Sequence, residues 1–339
     1  MIGHRIHEFS GTARQVGLAM GRALGPRLGQ NVSRYLRMRP PRPGAIDAER
    51  LHREALPWLR TLPARFQEEM EGLAEGADLP IERLAEWSYV ECCIAEGCSG
   101  LAIRLGGETW VARNNDMFVP DAWGYVSIRA LAGRIPTLSF GLEGDVFTTT
   151  GLNRERLWLH HQAIPCPDGP RPGRLHLPSF VVLTDLLETC STLKQVEARL
   201  GEVDRDDGML LFAVEGLSGE FAVLECASSS HLRRSGEGRF LVATNHAAGP
   251  GWPAPGGDSL ARQERLSALA EALYARGTFA ALPRDLIAIL ADPGVERRGP
   301  DMPTVYANAC CPRSGETWFT FGGYPAASRG AWARLDWPF

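Results

Sequence analysis

Residues 96–116 read Glu96-Gly97-Cys98-Ser99-Gly100-Leu101-Ala102-Ile103-Arg104-Leu105-Gly106-Gly107-Glu108-Thr109-Trp110-Val111-Ala112-Arg113-Asn114-Asn115-Asp116. Leu101, Ile103 and Leu105 alternate with Gly100, Ala102 and Arg104, the period-2 pattern of a half-buried strand. Gly106-Gly107 marks a turn, because glycine accepts the positive φ that tight hairpin turns require. Residues 109–112 then supply a second short strand. A two-residue loop sets Cys98 opposite Asn115, and a three-residue loop sets it opposite Asp116. In either register a thiol at the start of one strand meets Arg113 and Asp116 at the end of its neighbour. A thiol, a guanidinium and a carboxylate converging at one end of a hairpin form a candidate catalytic corner.

Outward from this hairpin the texture of the chain divides. Residues 11–37, 46–61, 64–76 and 80–95 carry helical signals, with a Pro/Arg-rich linker at 39–44, so the first 95 or so residues are expected to be mainly α. Pro80 suits the first turn of the last of these helices. After Gly97 short strands follow one another at 99–105, 109–113, 123–131, 136–141, 145–150 and 156–160, with glycine-containing turns such as Glu143-Gly144-Asp145 between them. A helix is expected over 178–200, strands at 209–214, 220–226 and 239–244, helices at 258–275 and 279–291, and a last hairpin at 304–309 and 316–321. Blocks of helices and strands, rather than strict alternation, indicate a layered α+β fold.

Composition narrows the function classes. The 339 residues are 44% hydrophobic and 22% charged, with a net charge of -4, ordinary globular values that lack the basic footprint of a nucleic-acid binder. No run of about 18 apolar residues signals a membrane span. Residues 1–8 lack the apolar core of a secretion signal, and eight cysteines in so long a chain do not make a disulfide scaffold. The expectation is a protein of a reducing, cytoplasmic setting with free thiols. Cys92-Cys93 with Cys98, and Cys310-Cys311, lack the Cys-x-x-Cys spacing of a zinc site. His160 and His161 are adjacent, so on a strand they point to opposite faces and make poor co-ligands. No dinucleotide or phosphate-loop fingerprint occurs. Neither a metal nor a bound cofactor is expected.

Gly97-Cys98-Ser99, followed by Gly107-Glu108-Thr109-Trp110-Val111-Ala112-Arg113-Asn114-Asn115-Asp116, resembles the penicillin (isopenicillin N) acyltransferase family of autoproteolytic N-terminal-nucleophile hydrolases. That family shows Gly-Cys-Thr, a hairpin, then Gly-Arg-Asn-x-Asp, and the choloylglycine and penicillin V hydrolases share the later part. The stretch Glu8 to Gly21 looks like the family's Gly-rich opening, Gly151-Leu152-Asn153 is like its Gly-x-Asn, Thr244-Asn245-His246 like its Thr-Asn-His, and Ser259 to Arg262 like its Ser-x-x-Arg. The motifs run in family order from residue 8 to residue 262. Two departures stand out: Ser99 replaces the usual threonine, and Ala112 the usual glycine.

The resemblance implies a four-layer αββα sandwich with an α-rich N-terminal segment, made as a zymogen that cuts itself between Gly97 and Cys98. Residues 1–97 and 98–339 would then form a heterodimer. Gly97, lacking a Cβ, lets the scissile peptide adopt a strained or close-approach geometry. Cys98 would become both nucleophile and N-terminus, and its α-amine, with a pKa of about 7.7–8.0 against about 10.4 for lysine, would serve as base near neutral pH. Asp116 would orient the ammonium, Arg113 would pair with Asp116 and favour the thiolate, and Arg262 would sit near Cys98, with Arg265 as its rival. Asn245 would donate an N–H to the oxyanion, a contact worth about 3–4 kcal/mol. The second oxyanion donor is not placed and is expected to be a backbone N–H. The implied activity is cleavage or transfer of an acyl group at a non-peptide amide through a Cys98 thioester, with acyl-CoA admissible as a co-substrate. Trp110, Phe118, Trp123 and Phe147 are candidates for an acyl pocket or for core. Two other readings are a Cys–His peptidase or transferase using His246 as base, and a non-catalytic binding relative of the fold.

Overall fold

The computed structural model describes residues 3–38, 47–93, 97–118, 120–174, 176–236, 238–279 and 281–339; the linker at 39–44 lies outside them. The β2 (Gly97–Leu105) and β3 (Glu108–Asp116) strands form the hairpin that the glycine pair announces. Gly106 and Gly107 take φ of 59° and 85°, the positive pair a two-residue turn needs. Cys98 therefore lies opposite Asn115.

The segment before the hairpin is helical but not purely so. It begins with β1 (Ile6–Gly11), which the sequence reading missed, and continues through α1 (Ala13–Leu24), α2 (Pro26–Met38), α3 (Ala48–Leu59), α4 (Ala64–Ala77) and α5 (Ile81–Cys93). The single helix expected over 11–37 is broken at Gly25-Pro26, where Gly25 has a positive φ of 52°. Glycines press α1 onto α4. A Cβ on Gly17 would stand 2.0 Å from the Glu69 carbonyl oxygen, and one on Gly72 would stand 2.2 Å from the Arg14 carbonyl oxygen.

Beyond the hairpin the strands are β4 (Trp123–Leu131), β5 (Thr137–Leu142), β6 (Thr150–Asn153), β7 (Leu157–Ile164) and the two-residue β8 (His176–Leu177). Residues 145–149, expected as strand, instead form the connection into β6. One helix was expected over 178–200, but Cys190-Ser191-Thr192 interrupts it, and Thr192 caps the second half through the Gln195 N–H. The result is α6 (Ser179–Thr189) and α7 (Leu193–Glu202). Then come β9 (Asp204–Arg205), β10 (Gly208–Glu215), β11 (Glu220–Cys226), β12 (His231–Ser235), β13 (Phe240–Ala243), α8 (Ser259–Arg276), α9 (Arg284–Leu290), β14 (Thr304–Cys311), β15 (Glu316–Phe321), α10 (Ala326–Arg329) and β16 (Ala331–Leu335).

These strands make two large sheets. One runs β1-β4-β5-β6-β7-β10-β11-β12, and the other β13-β2-β3-β14-β15-β16. Within these two sheets all neighbours are antiparallel except β1 and β4; β8 and β9 form a separate parallel pair. The sheets face each other: Trp123 of β4 stacks on Tyr306 of β14 with centroids 5.9 Å apart, and Phe140 packs on Phe319 at 5.8 Å. The helices α6 and α7 cover the outer face of the eight-stranded sheet; α8, α9 and α10 cover that of the six-stranded one. The fold is a four-layer αββα sandwich, as the resemblance implies. Because β2 lies inside it, that strand is buried on both faces apart from Arg104, not on one as its alternation suggests. Leu101 and Ile103 face α8 and α9, while Gly100 and Ala102 are small enough for the second sheet to close on the other side. A Cβ on Gly100 would stand 2.6–2.7 Å from side chains of Gln162, His160 and Phe212. Among the described residues no helix is long and apolar enough to cross a membrane.

Candidate active site

Strand parity sorts the hairpin's polar residues into two groups. Cys98 and Gly100 share the inter-sheet face with their partners Asn115 and Arg113; Gly97 and Ser99 share the helix-facing side with Asp116 and Asn114. On the inter-sheet face the Arg113 guanidinium lies with Nη2 3.2 Å from Cys98 Sγ and 2.6 Å from Asn115 Oδ1. Its Nη1 donates to the Thr149 carbonyl at 2.7 Å, to the Tyr306 hydroxyl at 3.2 Å and to Thr150 Oγ1. Cys98 and Arg113 are both wholly buried. The guanidinium's positive charge favours the thiolate, while burial opposes it.

The other face holds Asp116, and here the expected pairing fails. Positions 113 and 116 differ by an odd number, so Arg113 and Asp116 point to opposite sides of β3 and do not form the anticipated ion pair. Asp116 Oδ1 instead accepts from Thr304 Oγ1 at 2.6 Å, and its Oδ2 lies 3.9 Å from Arg262 Nη1. Oδ2 has no hydrogen-bond partner among the described residues. Burial pushes the carboxyl's pKa up, while Arg262, the Thr304 hydroxyl and Arg297 oppose that shift.

The turn from β13 into α8 brings the remaining candidates. The Ser259 hydroxyl accepts the Asn245 backbone N–H at 2.8 Å and bonds Thr244 Oγ1 at 2.9 Å and His246 Nδ1 at 2.8 Å. This locks the Thr-Asn-His run to the first turn of α8. Asn245 Oδ1 then accepts from the Cys98 backbone N–H at 2.9 Å and from Arg262 Nη2 at 2.8 Å. Its Nδ2 donates to the Ala163 carbonyl at 3.0 Å. Asn245 thus presents its side-chain oxygen to the Cys98 backbone N–H and to Arg262. Arg262 also donates to the Cys98 carbonyl at 2.6 Å and to Ser99 Oγ at 2.9 Å, and is anchored by Asp258 at 3.0 Å. Its rival Arg265 lies at the surface in an ion pair with Asp292.

Cys98, Arg113, Asp116, Asn245 and Arg262 are thus brought together around one peptide unit. His246 makes its hydrogen bonds to Ser259 and Thr244, which gives no support to a Cys–His pair. Phe118, Trp123 and Phe147 lie in the main core, and Trp110 lies under α8 and α9. Sequence reading missed Tyr306 and Thr150, which hold Arg113, and Arg297, which anchors on Asp258 with Nε and Nη2 at 3.0 and 2.9 Å. It also missed His160, stacked on Phe212 at 4.4 Å with its Nδ1 accepting from the Trp158 indole. Burial, with Arg113 nearby, holds the His160 pKa well below its usual range, so the ring is neutral. His161 points the other way onto Phe180, the opposite-face arrangement expected of the pair.

No family model matches the chain, and no curated protein matches it in sequence. Among solved structures it is similar to a mutant of the conjugated bile acid hydrolase from Clostridium perfringens (TM-score 0.48, 14% identity, covering 71% of this chain and 97% of that one). It is similar also to penicillin V acylase from Agrobacterium tumefaciens (0.49, 13%, 70% and 86%). A third is the Caenorhabditis elegans ortholog of N-acylethanolamine-hydrolyzing acid amidase (0.47, 13%, 64% and 93%). These superpositions are loose. What the site can do follows from its own geometry.

Proposed function

We propose that this chain is a cysteine amidohydrolase or acyltransferase of the N-terminal-nucleophile type, which cuts itself between Gly97 and Cys98 before acting on small-molecule amides. One observation carries the reading. The backbone nitrogen of Cys98, which a cut would turn into an α-amine, is held by Asn245 Oδ1 beside Arg262, while the thiol of the same residue faces Arg113. Asp116 Oδ2 lies beside Gly97 with no hydrogen bond among the described residues, 3.9 Å from Arg262 Nη1, and can accept from the new ammonium. The wholly buried thiol is closed to outside substrate in the uncut chain, so the cut comes first.

In self-cleavage Cys98 Sγ attacks the Gly97 carbonyl carbon, a C–S bond forms, and the C–N bond breaks with a proton delivered to the Cys98 nitrogen. Water then hydrolyses the thioester, leaving a carboxylate on Gly97 and a free thiol and amine on Cys98. In turnover the α-amine takes the thiol proton, and the thiolate, favoured by Arg113, attacks the substrate's amide carbon. The ammonium, held by Asn245 Oδ1 and Asp116, returns its proton to the leaving amine. Water discharges the resulting thioester in hydrolysis; a second amine does so in transfer. The residues 1–97 and 98–339 remain together as two chains.

Acyl trapping tests this. The processed protein is incubated briefly with N-acylated amines of increasing acyl length, quenched in acid and digested. The peptide beginning at Cys98 should gain the mass of the acyl group, and an added amine acceptor should shorten the adduct's lifetime if transfer operates. Turnover without any adduct on Cys98, or with the adduct on another residue, would overturn the assignment.

A further inference from the structure

Arg297 belongs to no motif, yet its guanidinium lies against the residue at which the chain is proposed to break. A Cβ placed on Gly97 would stand 2.7 Å from Arg297 Nη1, and 3.0 Å from both Cβ and Oδ2 of Asp116. The guanidinium is held from behind: Nε and Nη2 grip the Asp258 carboxylate, which is also the anchor of Arg262. Among the described residues, Nη1, the nitrogen nearest Gly97, hydrogen-bonds the Met302 thioether at 3.4 Å, and sulfur is a weak acceptor. Beside it, Asp116 Oδ2 has no hydrogen-bond partner among the described residues and lies 3.9 Å from Arg262 Nη1. A groove of about 430 Å³ is lined by Asp258, Glu296, Arg297, Arg298 and Met302 among others.

Hydrolysis of the Gly97–Cys98 bond consumes one water and makes two charges where there were none, a carboxylate on Gly97 and an ammonium on Cys98. The ammonium has Asn245 Oδ1 and Asp116 waiting. The carboxylate forms on the carbon bonded to Gly97 Cα, beside Arg297 Nη1. Resting on the self-cleaving reading above, we propose that Arg297 is the receptor for the Gly97 carboxylate and holds the new chain end at the mouth of the site after the cut. Arg297 is a positioning residue in this account: it binds a product of maturation and does not touch the bond that breaks. A guanidinium suits the task, since it stays charged and gives a carboxylate charge-assisted hydrogen bonds while its other edge stays on Asp258.

The test is the susceptibility of that chain end to a carboxypeptidase. Wild-type protein and the Arg297→Gln and Arg297→Lys variants are purified after processing, treated with the protease, and the smaller chain is followed by intact mass. In the wild type the chain should keep Gly97. In Arg297→Gln its removal should be at least tenfold faster, and Arg297→Lys should recover part of the protection because it keeps the charge. Equal trimming rates in processed wild type and Arg297→Gln would overturn the proposal. So would failure of folded Arg297→Gln to cut, which would place Arg297 in the cutting step itself. If the wild type itself stays uncut, the self-cleaving reading fails and this inference with it, an outcome visible before any protease is added.

Discussion

Gly97 shows how much one missing atom decides. Its backbone is extended, without the positive φ of the turn glycines, so glycine is needed here for close approach and not for backbone strain. Gly97→Ala should slow self-cleavage at least tenfold, and adding Arg297→Ala should restore part of the rate, since one of the two obstructing groups is then gone. A time course of the cut on a denaturing gel checks both. Asp116 makes a prediction about pH. Burial raises its folded pKa above the ordinary value near 3.8, so between the two values the folded state holds the proton and the unfolded state has lost it. Stability therefore falls as pH rises through that window. In an uncut Cys98→Ala background, adding Asp116→Asn should gain thermal stability relative to the single variant as pH is raised from about 3.8 towards neutrality, and the difference should close again on acidification. A gap independent of pH would show that Asp116 does not titrate there. The motifs made Cys98, Asp116, Asn245 and Arg262 legible, because each lies in a short run of distinctive residues. The Arg113–Asp116 pairing was misread although strand parity alone excludes it. Arg297 and Tyr306 were illegible: they lie 199 and 208 residues downstream of Cys98, and only the folding of the layers brings them to it.

At the scale of elements, the glycines of α1 and α4 carry the sharpest prediction. Gly17 and Gly21 meet the backbone of α4, and Gly72 and Gly76 that of α1, with a Cβ on any of the four predicted to stand 2.0–2.4 Å from a carbonyl oxygen. Backbone cannot move aside as a flexible side-chain end can. Gly72→Ala should cost about 1–3 kcal/mol by overpacking, read as a lower denaturant midpoint in the uncut protein. An exposed glycine such as Gly201, with open space around its Cα, should tolerate alanine. Most of the longer helices and interior strands were readable because packing on one or both faces enforces a pattern; the four-residue β6 was too short to show one and was expected at 145–150. The elements missed include β1, β12 and β16, all at sheet edges, where a short strand buries little and its sequence is free to be polar, as in His231-Leu232-Arg233-Arg234-Ser235, and β8, β9 and α10, of only two to four residues each. The split of 178–200 was hidden because its apolar face continues through the interruption, while the break depends on the Thr192 cap.

Taken whole, the molecule ties residues 3–93 to the rest by more than the peptide bond at Gly97. Glu143, in the turn after β5, receives Asn31 at 3.0 Å, Arg27 at 3.1 Å and His7 at 3.3 Å. Buried Glu69 of α4 bridges Arg129 of β4 at 3.0 Å and Arg65 at 2.6 Å, and Arg65 reaches on to Glu188 of α6. With β1 also hydrogen-bonded into the eight-stranded sheet, the cut should leave a two-chain particle that runs as one species in native gel filtration. Arg129→Ala leaves the buried Glu69 carboxylate with Arg65 as its remaining ion-pair partner and should cost about 1–3 kcal/mol, seen as a lowered melting temperature and, after the cut, as loss of the smaller chain on washing in salt. The central claim is the cut itself, and intact mass under denaturing conditions tests it most directly. The wild type should give two chains of 97 and 242 residues, about 10.6 and 26.5 kDa as shares of 37.1 kDa (37.1 × 97/339 and 37.1 × 242/339). The larger should begin Cys-Ser-Gly-Leu, and Cys98→Ala should remain one chain of 37.1 kDa. A folded wild type that persists as a single 37.1 kDa chain would contradict the account.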